Sequence, residues 1–407
     1  MMHDLHRAPA DTVAETTNFD EVLDRSTLST VKWEMEIDRT GNKSLLGFGT
    51  ADMDFRSPKQ IAAALERTAR LGHFGYPYKP SSYYDALIGF YKRHFGWEIR
   101  REWIAHNVGI YPSMRPLIDR LSVEGDEIIY QPPVHFQFRN IVAAAGRVPV
   151  ANPLMLRNGR YEFDFDQLSR CVSSRTRLLL LCNPHNPVGR VWSREELARL
   201  AEFCQQHNIV VVSDEVYCGL LHEGAHFTPF ASVSSEALMN SVSLLSASKM
   251  FNLTGLKHSQ VIAANPRLMH EYLEGLKRDT SGYGGSLFGH AATEVAYRDC
   301  DGWLVDLMRY VAGNYAFAEA FFKERLPRIR VRPTESTYFM WLDLSEYGMS
   351  HQEMLDLFET RHGLVLNYGE DYGPGGEGHI RLNIGTPKSV LAQGLERMAE
   401  ALSSRER

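Results

Sequence analysis

The chain has 407 residues, 44% of them hydrophobic, and a formal net charge of -6 at pH 7. This length suits about two domains, and the composition is ordinary for a soluble globular protein. A net negative charge provides no basic surface for nucleic acid or an anionic membrane, so neither is predicted as a partner.

The five cysteines form no CxxC pair and no metal-type cluster with histidine, so no metal site is predicted. They are typical of reduced, mostly buried thiols in a cytosolic protein. The first 20 residues are polar and lack the apolar core of a signal peptide, and no apolar stretch has membrane-spanning length. The sequence therefore predicts a cytoplasmic protein.

The N-terminal part carries a helix signal and an isolated aromatic residue. Residues 1–55 are predicted to form an arm and part of a smaller domain. Ser57 and Pro58 resemble a helix start, and apolar residues at helical spacing from Ile61 onward predict a helix packed on the body. Tyr76 follows in a loop, where a lone tyrosine is more often a packing residue than a ligand.

An anion site is predicted where a strand meets a helix at Gly109. Glycine lets the backbone approach closely, and the free amides of Ile110 and Tyr111 in the next helical turn would face an anion. A buried strand and a Pro-Pro turn at residues 128–133 then lead to His135. The aromatic cluster around this histidine either supports a flat ring or belongs to the core, and the sequence leaves both interpretations open.

The most regular stretch begins with a continuous apolar strand at residues 178–182, of the kind that parallel sheets bury on both faces. The strand ends in a polar turn that contains Asn186. Ser193 and Glu196 form a capping box at the start of an amphipathic helix, and the next strand ends at Asp214. This βαβ unit predicts a parallel, right-handed crossover with polar groups at both strand ends.

A third strand is predicted at residues 241–245, and it leads into a turn that contains Ser246, Ser248 and Lys249. A lysine at the carboxyl end of a strand lies where ligands collect in a twisted α/β sheet. Two hydroxyls beside it would hold a phosphate, which points to a Schiff base with pyridoxal phosphate (PLP). Residues 246–253 alone are equally consistent with a surface lysine that follows a strand.

Asn186, Asp214 and Lys249 follow three strands and are therefore expected at one edge of one sheet. PLP chemistry needs a lysine that binds the cofactor and moves the proton of the substrate Cα, and a carboxylate opposite the pyridine nitrogen. Lys249 and Asp214 supply these catalytic groups, and Tyr217 joins Asn186 as a donor to the ring oxygen. Arg381, in an otherwise apolar strand, suits the substrate α-carboxylate. The predicted phosphate ligands are the amides of Ile110 and Tyr111 and the side chains of Ser246, Ser248 and Lys257.

Two domains are predicted. Helical patterns cover residues 266–277 and 291–326, and a flexible loop over the site is predicted at 283–286. Short strands, a Gly-rich segment and a closing amphipathic helix follow. We predict a large PLP-binding domain at residues 56–300 and a small C-terminal α+β domain at residues 301–407, which the N-terminal arm completes.

Four motifs together resemble those of the aspartate aminotransferase superfamily of PLP enzymes, fold type I: residues 186–189 (NPVG), 213–217 (SDEVY), 246–249 (SASK) and 381–383 (RLN). The resemblance covers nearly the whole chain from about Lys32. It implies an α/β, three-layer PLP-dependent transferase fold, with a mostly parallel seven-stranded sheet in the large domain beside the smaller α+β domain.

Three further segments resemble the MalY/PatB branch: residues 51–55 (ADMDF), 248–253 (SKMFNL) and 336–344 (STYFMWLDL). That branch consists of cystathionine β-lyase-like C–S lyases, which are homodimers with active sites at the subunit interface. The resemblance therefore implies that Tyr76 reaches the phosphate of the cofactor in the second subunit.

Two positions depart from the branch. His135 stands where a tyrosine usually stacks on the cofactor ring; a histidine can still stack, and it also titrates near neutrality and can move protons. Tyr368 replaces a usual proline and puts a bulky phenol in a turn expected to line the substrate pocket. The substrate-binding candidates are Arg381, Asn186, Tyr368 and Asp54, although an acidic residue such as the last more often braces a loop.

The leading functional hypothesis is a PLP-dependent β-lyase that cleaves an S-substituted L-cysteine, such as a cysteine conjugate of a natural-product pathway, to a thiol, pyruvate and ammonia. Two other enzyme outcomes stay open, a PLP- and oxygen-dependent decarboxylating oxidative deaminase and an aminotransferase. A non-enzyme alternative is a MalY-like regulatory binding protein, against which the intact Lys249, Asp214 and Arg381 argue. No helix-turn-helix extension for DNA binding is recognisable in the sequence.

Overall fold

The computed structural model of the chain describes residues 17–24, 28–280 and 285–405. In these residues there are fifteen strands: β1 (Leu46–Gly47), β2 (Ile104–Asn107), β3 (Glu127–Tyr130), β4 (Val148–Ala151), β5 (Met155–Arg157), β6 (Arg160–Glu162), β7 (Thr176–Cys182), β8 (Val210–Asp214), β9 (Ser241–Leu245), β10 (Ser259–Ile262), β11 (Arg330–Arg332), β12 (Phe339–Asp343), β13 (Leu364–Val365), β14 (Asn367–Tyr368) and β15 (His379–Asn383).

The same residues contain thirteen α-helices: α1 (Glu36–Thr40), α2 (Lys59–Arg70), α3 (Ser81–Phe95), α4 (Ile110–Leu121), α5 (Gln137–Ala144), α6 (Phe165–Cys171), α7 (Arg194–Gln206), α8 (Ser235–Met239), α9 (Pro266–Thr280), α10 (Leu287–Asp299), α11 (Asp301–Arg325), α12 (His351–Leu355) and α13 (Lys388–Arg405). None of the helices in the described ranges is long and apolar enough to cross a membrane.

A seven-stranded sheet lies at the centre of the fold. Its strand order is β2-β10-β9-β8-β7-β3-β4; β10 runs antiparallel to both neighbours and the other pairs are parallel. Side chains alternate along β7: Leu178 packs in one buried cluster with Leu117 of α4, and Leu179 packs in another with Leu197 of α7. Helices therefore cover both faces, which confirms the three-layer α/β architecture and the mostly parallel seven-stranded sheet.

Local signals place several element ends correctly. The strand predicted at residues 241–245 is β9, with all five residues buried. Ser193 and Glu196 form the predicted capping box at the start of α7. The helical pattern at 291–326 is interrupted, because α10 ends before Cys300 and α11 begins after it. In the predicted loop over the site, Tyr283 and Gly284 lie outside the described residues, and Ser286 caps α10 through its hydroxyl.

A smaller antiparallel sheet, β11-β12-β15-β14, forms near the C-terminus. Its attachment to the rest includes α11, whose Asn314 side chain donates to the carbonyls of Ile384 and Thr386. The N-terminal segment joins this part of the chain, since Leu46 of β1 pairs in parallel with Leu364 of β13. This pairing supports the prediction that residues before 56 complete the small domain, whose exact boundaries stay a prediction.

Candidate active site

The carboxyl ends of three neighbouring strands bring the main predicted residues together. In the sheet register Cys182 of β7 lies beside Asp214 of β8, which lies beside Leu244 of β9. The polar turns after these strands therefore meet at one edge, and they line a cavity of about 390 Å³. Ten predicted residues line it: Ile110, Tyr111, His135, Asn186, Asp214, Tyr217, Ser246, Ser248, Lys249 and Lys257.

Lys249, which is partly buried, and Asp214, which is buried, are ionisable groups of opposite charge in this cavity. The Lys249 ammonium donates to the Ala51 carbonyl at 2.9 Å and to the Thr254 hydroxyl at 3.4 Å. Burial lowers the pKa of Lys249 to about 8, so a neutral, nucleophilic amine is accessible in mildly alkaline solution. Burial raises the pKa of Asp214 to about 7, against the opposing effects of the Val216 amide and of Lys249.

One end of the cavity has the donors that a phosphate requires. The first turn of α4 presents the amides of Ile110 and Tyr111, which have no acceptor within the helix. The Ser246 hydroxyl donates to the His258 carbonyl at 2.7 Å and accepts the Ser248 amide at 3.1 Å. Because its one proton is engaged, Ser246 shapes the turn, and the donors available for an anion are the helix amides, the Ser248 hydroxyl and the Lys257 ammonium.

Arg381 lies next to the cavity on β15 of the smaller sheet. Its guanidinium is 2% exposed, lies 4.0 Å from the Phe339 ring centroid, and donates to the Asn186 side-chain oxygen at 3.0 Å and to the Gly49 carbonyl at 2.6 Å. A further hydrogen bond reaches the side-chain oxygen of Asn367. The Arg381 Nε has no acceptor among the described residues. A planar cation held in this way suits a bidentate carboxylate.

Tyr368, predicted to line the substrate pocket, lies on the face of β14 opposite Asn367, and its role in substrate binding stays a prediction. On the short strand β14, the side chain of Asn367 meets Arg381, so the next side chain points to the opposite face of the sheet. The Tyr368 ring is 4% exposed and lies 5.3 Å from the ring of His351. It is not among the described residues that line the cavity.

The assignment of Asp54 to substrate binding also stays a prediction, and the structure shows a second role for this carboxylate. Its carboxylate forms a buried ion pair with Lys32 at 2.8 Å and accepts the Trp33 indole N–H at 2.9 Å. Asp54 does not line the described part of the cavity. These contacts favour the bracing interpretation, because both carboxylate oxygens are engaged in fixing the segment that follows Ala51.

His135 is in the cavity wall but does not titrate near neutrality. Its Nδ1 lies 2.8 Å from the Tyr111 hydroxyl, and the two rings are stacked with centroids 5.5 Å apart. Burial, together with the charges of Arg381 and Lys249, lowers the pKa of His135 to about 3. A partly buried imidazole near two cations favours the neutral form, which argues against a proton-moving role for His135 at neutral pH.

Several residues that hold the site were missed by sequence reasoning. The carbonyl of Ala51 accepts from Lys249 and also from the Tyr338 hydroxyl at 2.9 Å. The Asn383 side chain donates to the flanking carbonyls of Thr50 and Asp52. A backbone carbonyl leaves no side-chain signal in a sequence, so the role of Ala51 could not be predicted. Thr254 has a hydroxyl five residues after Lys249, and that spacing could have indicated it as a partner of the lysine.

Tyr76 is 84% exposed and lies outside the described cavity wall.

The cavity itself fits a phosphate-bearing aldehyde, because it combines an anion-binding end, a lysine of lowered pKa and a carboxylate. Lys249 would bind the aldehyde carbon covalently, and Asp214 would face the pyridine nitrogen.

Comparison with known proteins agrees with this geometry. The sequence profile described as aminotransferase class I and II matches residues 43–398. Cystathionine beta-lyase PatB of Bacillus subtilis is 37% identical over 388 residues, which cover 95% of this chain and 100% of PatB. Protein MalY of Escherichia coli is 26% identical, covering 95% of this chain and 98% of MalY.

A solved structure that contains bound PLP has the same fold as this chain. The PLP-bound C–S lyase from Staphylococcus hominis superposes with a TM-score of 0.88 at 29% identity, covering 96% of this chain and 99% of that chain. The chain therefore belongs to the aminotransferase class I and II family and, within it, to the MalY/PatB-like branch of pyridoxal 5'-phosphate-dependent carbon–sulfur lyases.

Proposed function

We propose that the protein cleaves the Cβ–S bond of an S-substituted L-cysteine and, with one water, releases a thiol, pyruvate and ammonia. The observation that carries this proposal is that Lys249 and Asp214 line one cavity, with Arg381 bonded to Asn186 of the same lining. A cysteine conjugate from a natural-product pathway is the substrate class we favour, since the departure at His135 changes the cavity wall where a substituent would lie.

Bound PLP supplies the electron sink for the pair of electrons that remains when the Cα proton leaves. The Lys249 amine is the base for that proton, because its lowered pKa makes the neutral form accessible. The resulting ammonium then has a proton to give to the departing thiolate sulfur. The Asp214 carboxylate would hold a proton on the pyridine nitrogen of bound PLP, and burial of this carboxylate would strengthen the interaction between the two groups.

Arg381 would bind the α-carboxylate of the substrate through two parallel N–H groups. Its present partners include the side-chain oxygen of Asn186 and the carbonyl of Gly49, which fix the guanidinium plane. With its side-chain oxygen engaged by Arg381, Asn186 has its amide nitrogen left to donate to the cofactor ring oxygen. Tyr217, whose pKa is raised by burial, would remain a protonated donor to the same atom.

We further propose a cytoplasmic homodimer with shared active sites. Four large side chains between α2 and α3 are strongly exposed: Leu71 (81%), Phe74 (63%), Tyr76 (84%) and Tyr78 (79%). Exposed large side chains this close together favour a subunit interface, and Tyr76 among them would reach the second subunit's cofactor. The five cysteines are all free thiols, which supports a reducing compartment.

The test is product analysis of the PLP-loaded enzyme with S-methyl-L-cysteine, in air and without oxygen, with Lys249→Ala as the control. We expect pyruvate and methanethiol in equal amounts under both atmospheres, without an added amino acceptor. An aldehyde and CO2 that appear in air alone would replace the proposal with oxidative decarboxylation. Turnover that requires a 2-oxo acid would replace it with transamination.

A further inference from the structure

We propose that His135 determines which S-substituents the enzyme accepts, by offering a neutral Nε2–H donor to a carbonyl oxygen on the substituent. This inference rests on the proposed lyase function and specifies its substrate class: cysteine conjugates whose substituent carries an oxygen acceptor close to the sulfur.

The tautomer of His135 follows from its neighbours. The Gln137 backbone N–H lies 3.4 Å from Nδ1 and can act solely as a donor, so Nδ1 must be an acceptor. The Tyr111 hydroxyl, 2.8 Å from the same atom, therefore also donates. Burial raises the pKa of Tyr111 well above its usual value, which keeps that phenol protonated. With two donors directed at Nδ1, the single proton of the neutral imidazole is on Nε2.

The ring is held rigidly. Its backbone amide donates to the Asn186 carbonyl at 3.3 Å, and its own carbonyl accepts the Phe138 amide at 3.0 Å. Phe136 stacks against the ring with centroids 4.4 Å apart, and Tyr111 stacks at 5.5 Å. A donor fixed in this way loses little conformational entropy when it binds an acceptor.

The position of the ring matches the path of a substrate side chain. His135 lines the cavity and lies close enough to Arg381 and Lys249 for both charges to act on it. Those two cations are the groups proposed to hold the α-carboxylate and to act at Cα, so the substituent beyond Cβ must pass nearby. The described residues provide no acceptor for the His135 Nε2, which leaves this donor available to a ligand.

The rest of the cavity wall is largely apolar, and this lets the enzyme discriminate between substituents with and without an oxygen acceptor. Val108, Ile110, Phe138 and Val216 line the same cavity with apolar side chains. An apolar substituent would leave the Nε2–H without an acceptor, and a carbonyl oxygen placed elsewhere on this wall would be left without a donor.

The test uses the PLP-loaded enzyme with two substrates of nearly equal shape, S-carbamoylmethyl-L-cysteine and S-isobutyl-L-cysteine. The measured quantity is the ratio of their kcat/KM values, and each variant's ratio is divided by that of wild type, which cancels the different leaving abilities of the two thiols. We expect His135→Phe to lower this ratio about tenfold, the effect of one neutral hydrogen bond. His135→Gln, which places an amide N–H near the Nε2 position, should keep most of it.

Tyr111→Phe provides a second arm, because it removes the closer of the two donors at Nδ1, leaves the longer Gln137 contact alone to hold the tautomer, and keeps the His135 ring in place. It should lower the ratio in the same direction as His135→Phe. An unchanged ratio in both His135→Phe and Tyr111→Phe would overturn the proposal. If His135→Phe fails to fold, two results together would overturn the proposal. They are a wild-type kcat/KM ratio in Tyr111→Phe and a ratio in His135→Gln that has lost the whole wild-type preference.

A failure of the lyase proposal is distinguishable from a failure of this one. Binding constants of both amino acids are measured from the change in the cofactor's visible absorbance, which does not require thiol release. A wild-type enzyme that forms no pyruvate but binds the carbamoylmethyl compound more tightly, with the preference lost in His135→Phe, would support His135 and refute the lyase. Equal binding preferences in wild type and His135→Phe would refute the role of His135.

Discussion

The guanidinium of Arg381 donates to the side-chain oxygen of Asn186 across 3.0 Å, which connects the smaller sheet to the turn after β7 of the central sheet. One hydrogen bond thus joins the proposed substrate-carboxylate ligand to a proposed cofactor ligand. A conservative change at Arg381 should therefore affect binding of the amino acid while the cofactor stays bound.

Arg381→Lys should raise the KM for an S-alkyl cysteine at least about tenfold, because lysine keeps the charge and loses the bidentate geometry. The visible absorbance of bound PLP should change little. The measurement is steady-state kinetics beside a cofactor spectrum. Arg309→Lys is the control, since Arg309 is an exposed arginine that pairs with Asp306. Equal KM values in wild type and Arg381→Lys would contradict the assignment.

Asn367 and Tyr368 form a matched pair of neighbours on opposite faces of β14. Asn367→Ala removes an acceptor of Arg381 and should raise KM about five- to tenfold. Tyr368→Phe should leave kcat/KM within about twofold, because its hydroxyl, for which the described residues provide no partner, lies away from the cavity. Steady-state kinetics of both variants checks this, and a larger effect at Tyr368 would restore its place in the substrate pocket.

Asp54 is expected to matter for stability. Asp54→Ala removes the carboxylate that pairs with Lys32 in a buried site and should lower the free energy of unfolding by about 3 kcal/mol. The double variant Lys32→Met with Asp54→Leu should recover much of that loss, since it removes both buried charges. Urea unfolding at pH 7 measures both values. If Asp54→Ala were fully stable yet had lost substrate binding, the bracing role would be wrong.

The ionisation of Asp214 predicts a pH-dependent stability of the enzyme stripped of PLP. Burial raises the pKa of Asp214 from 3.8 to about 7. The stabilising contribution of the protonated carboxyl to the folded state is therefore fully present below pH 4 and is lost as the pH rises to 7. Asp214→Asn does not titrate. The Tm of Asp214→Asn minus the Tm of wild type should therefore increase between pH 4 and pH 7 and stay constant at higher pH.

Thermal unfolding of both apo proteins across this range provides the measurement. The neighbouring Glu215, whose pKa burial raises to about 8, is present in both proteins, so it largely cancels in the comparison. A Tm difference independent of pH would show that Asp214 is not buried in the way described. The same substitution in the PLP-loaded enzyme should lower kcat by at least about 100-fold, because the ring nitrogen loses its counter-charge.

Shared active sites predict complementation between two impaired proteins. Tyr76→Phe and Lys249→Ala should each be strongly impaired alone. After subunit exchange, mixed dimers would contain one site with both residues intact, and activity should recover to about a quarter of wild type. Activity that stays at the level of the separate variants would place Tyr76 outside the partner's site.

Much of the fold was predictable because its signals are local. The strand β9, the capping box of α7 and the apolar run of β7 depend on neighbouring residues, and each was recognised. The meeting of Asn186, Asp214 and Lys249 was also predictable, since parallel strands end at the same edge.

Other features depend on partners far away in the chain. Tyr368 faces away from the site because its neighbour Asn367 meets Arg381, and strand alternation then fixes the opposite face for the phenol. The neutral state of His135 requires burial beside two cations that approach from other elements.

The sequence by itself thus determined several elements of the large domain, their order and the placement of Lys249 and Asp214 at one sheet edge, because periodicity and strand-end chemistry are written in consecutive residues. The tertiary structure decided that the Asp54 carboxylate pairs with Lys32 and that the Lys249 ammonium donates to the Ala51 carbonyl. The second contact joins residues 198 positions apart in the chain. Such a contact forms when packing excludes water, because each buried polar group must then find its partners within the protein.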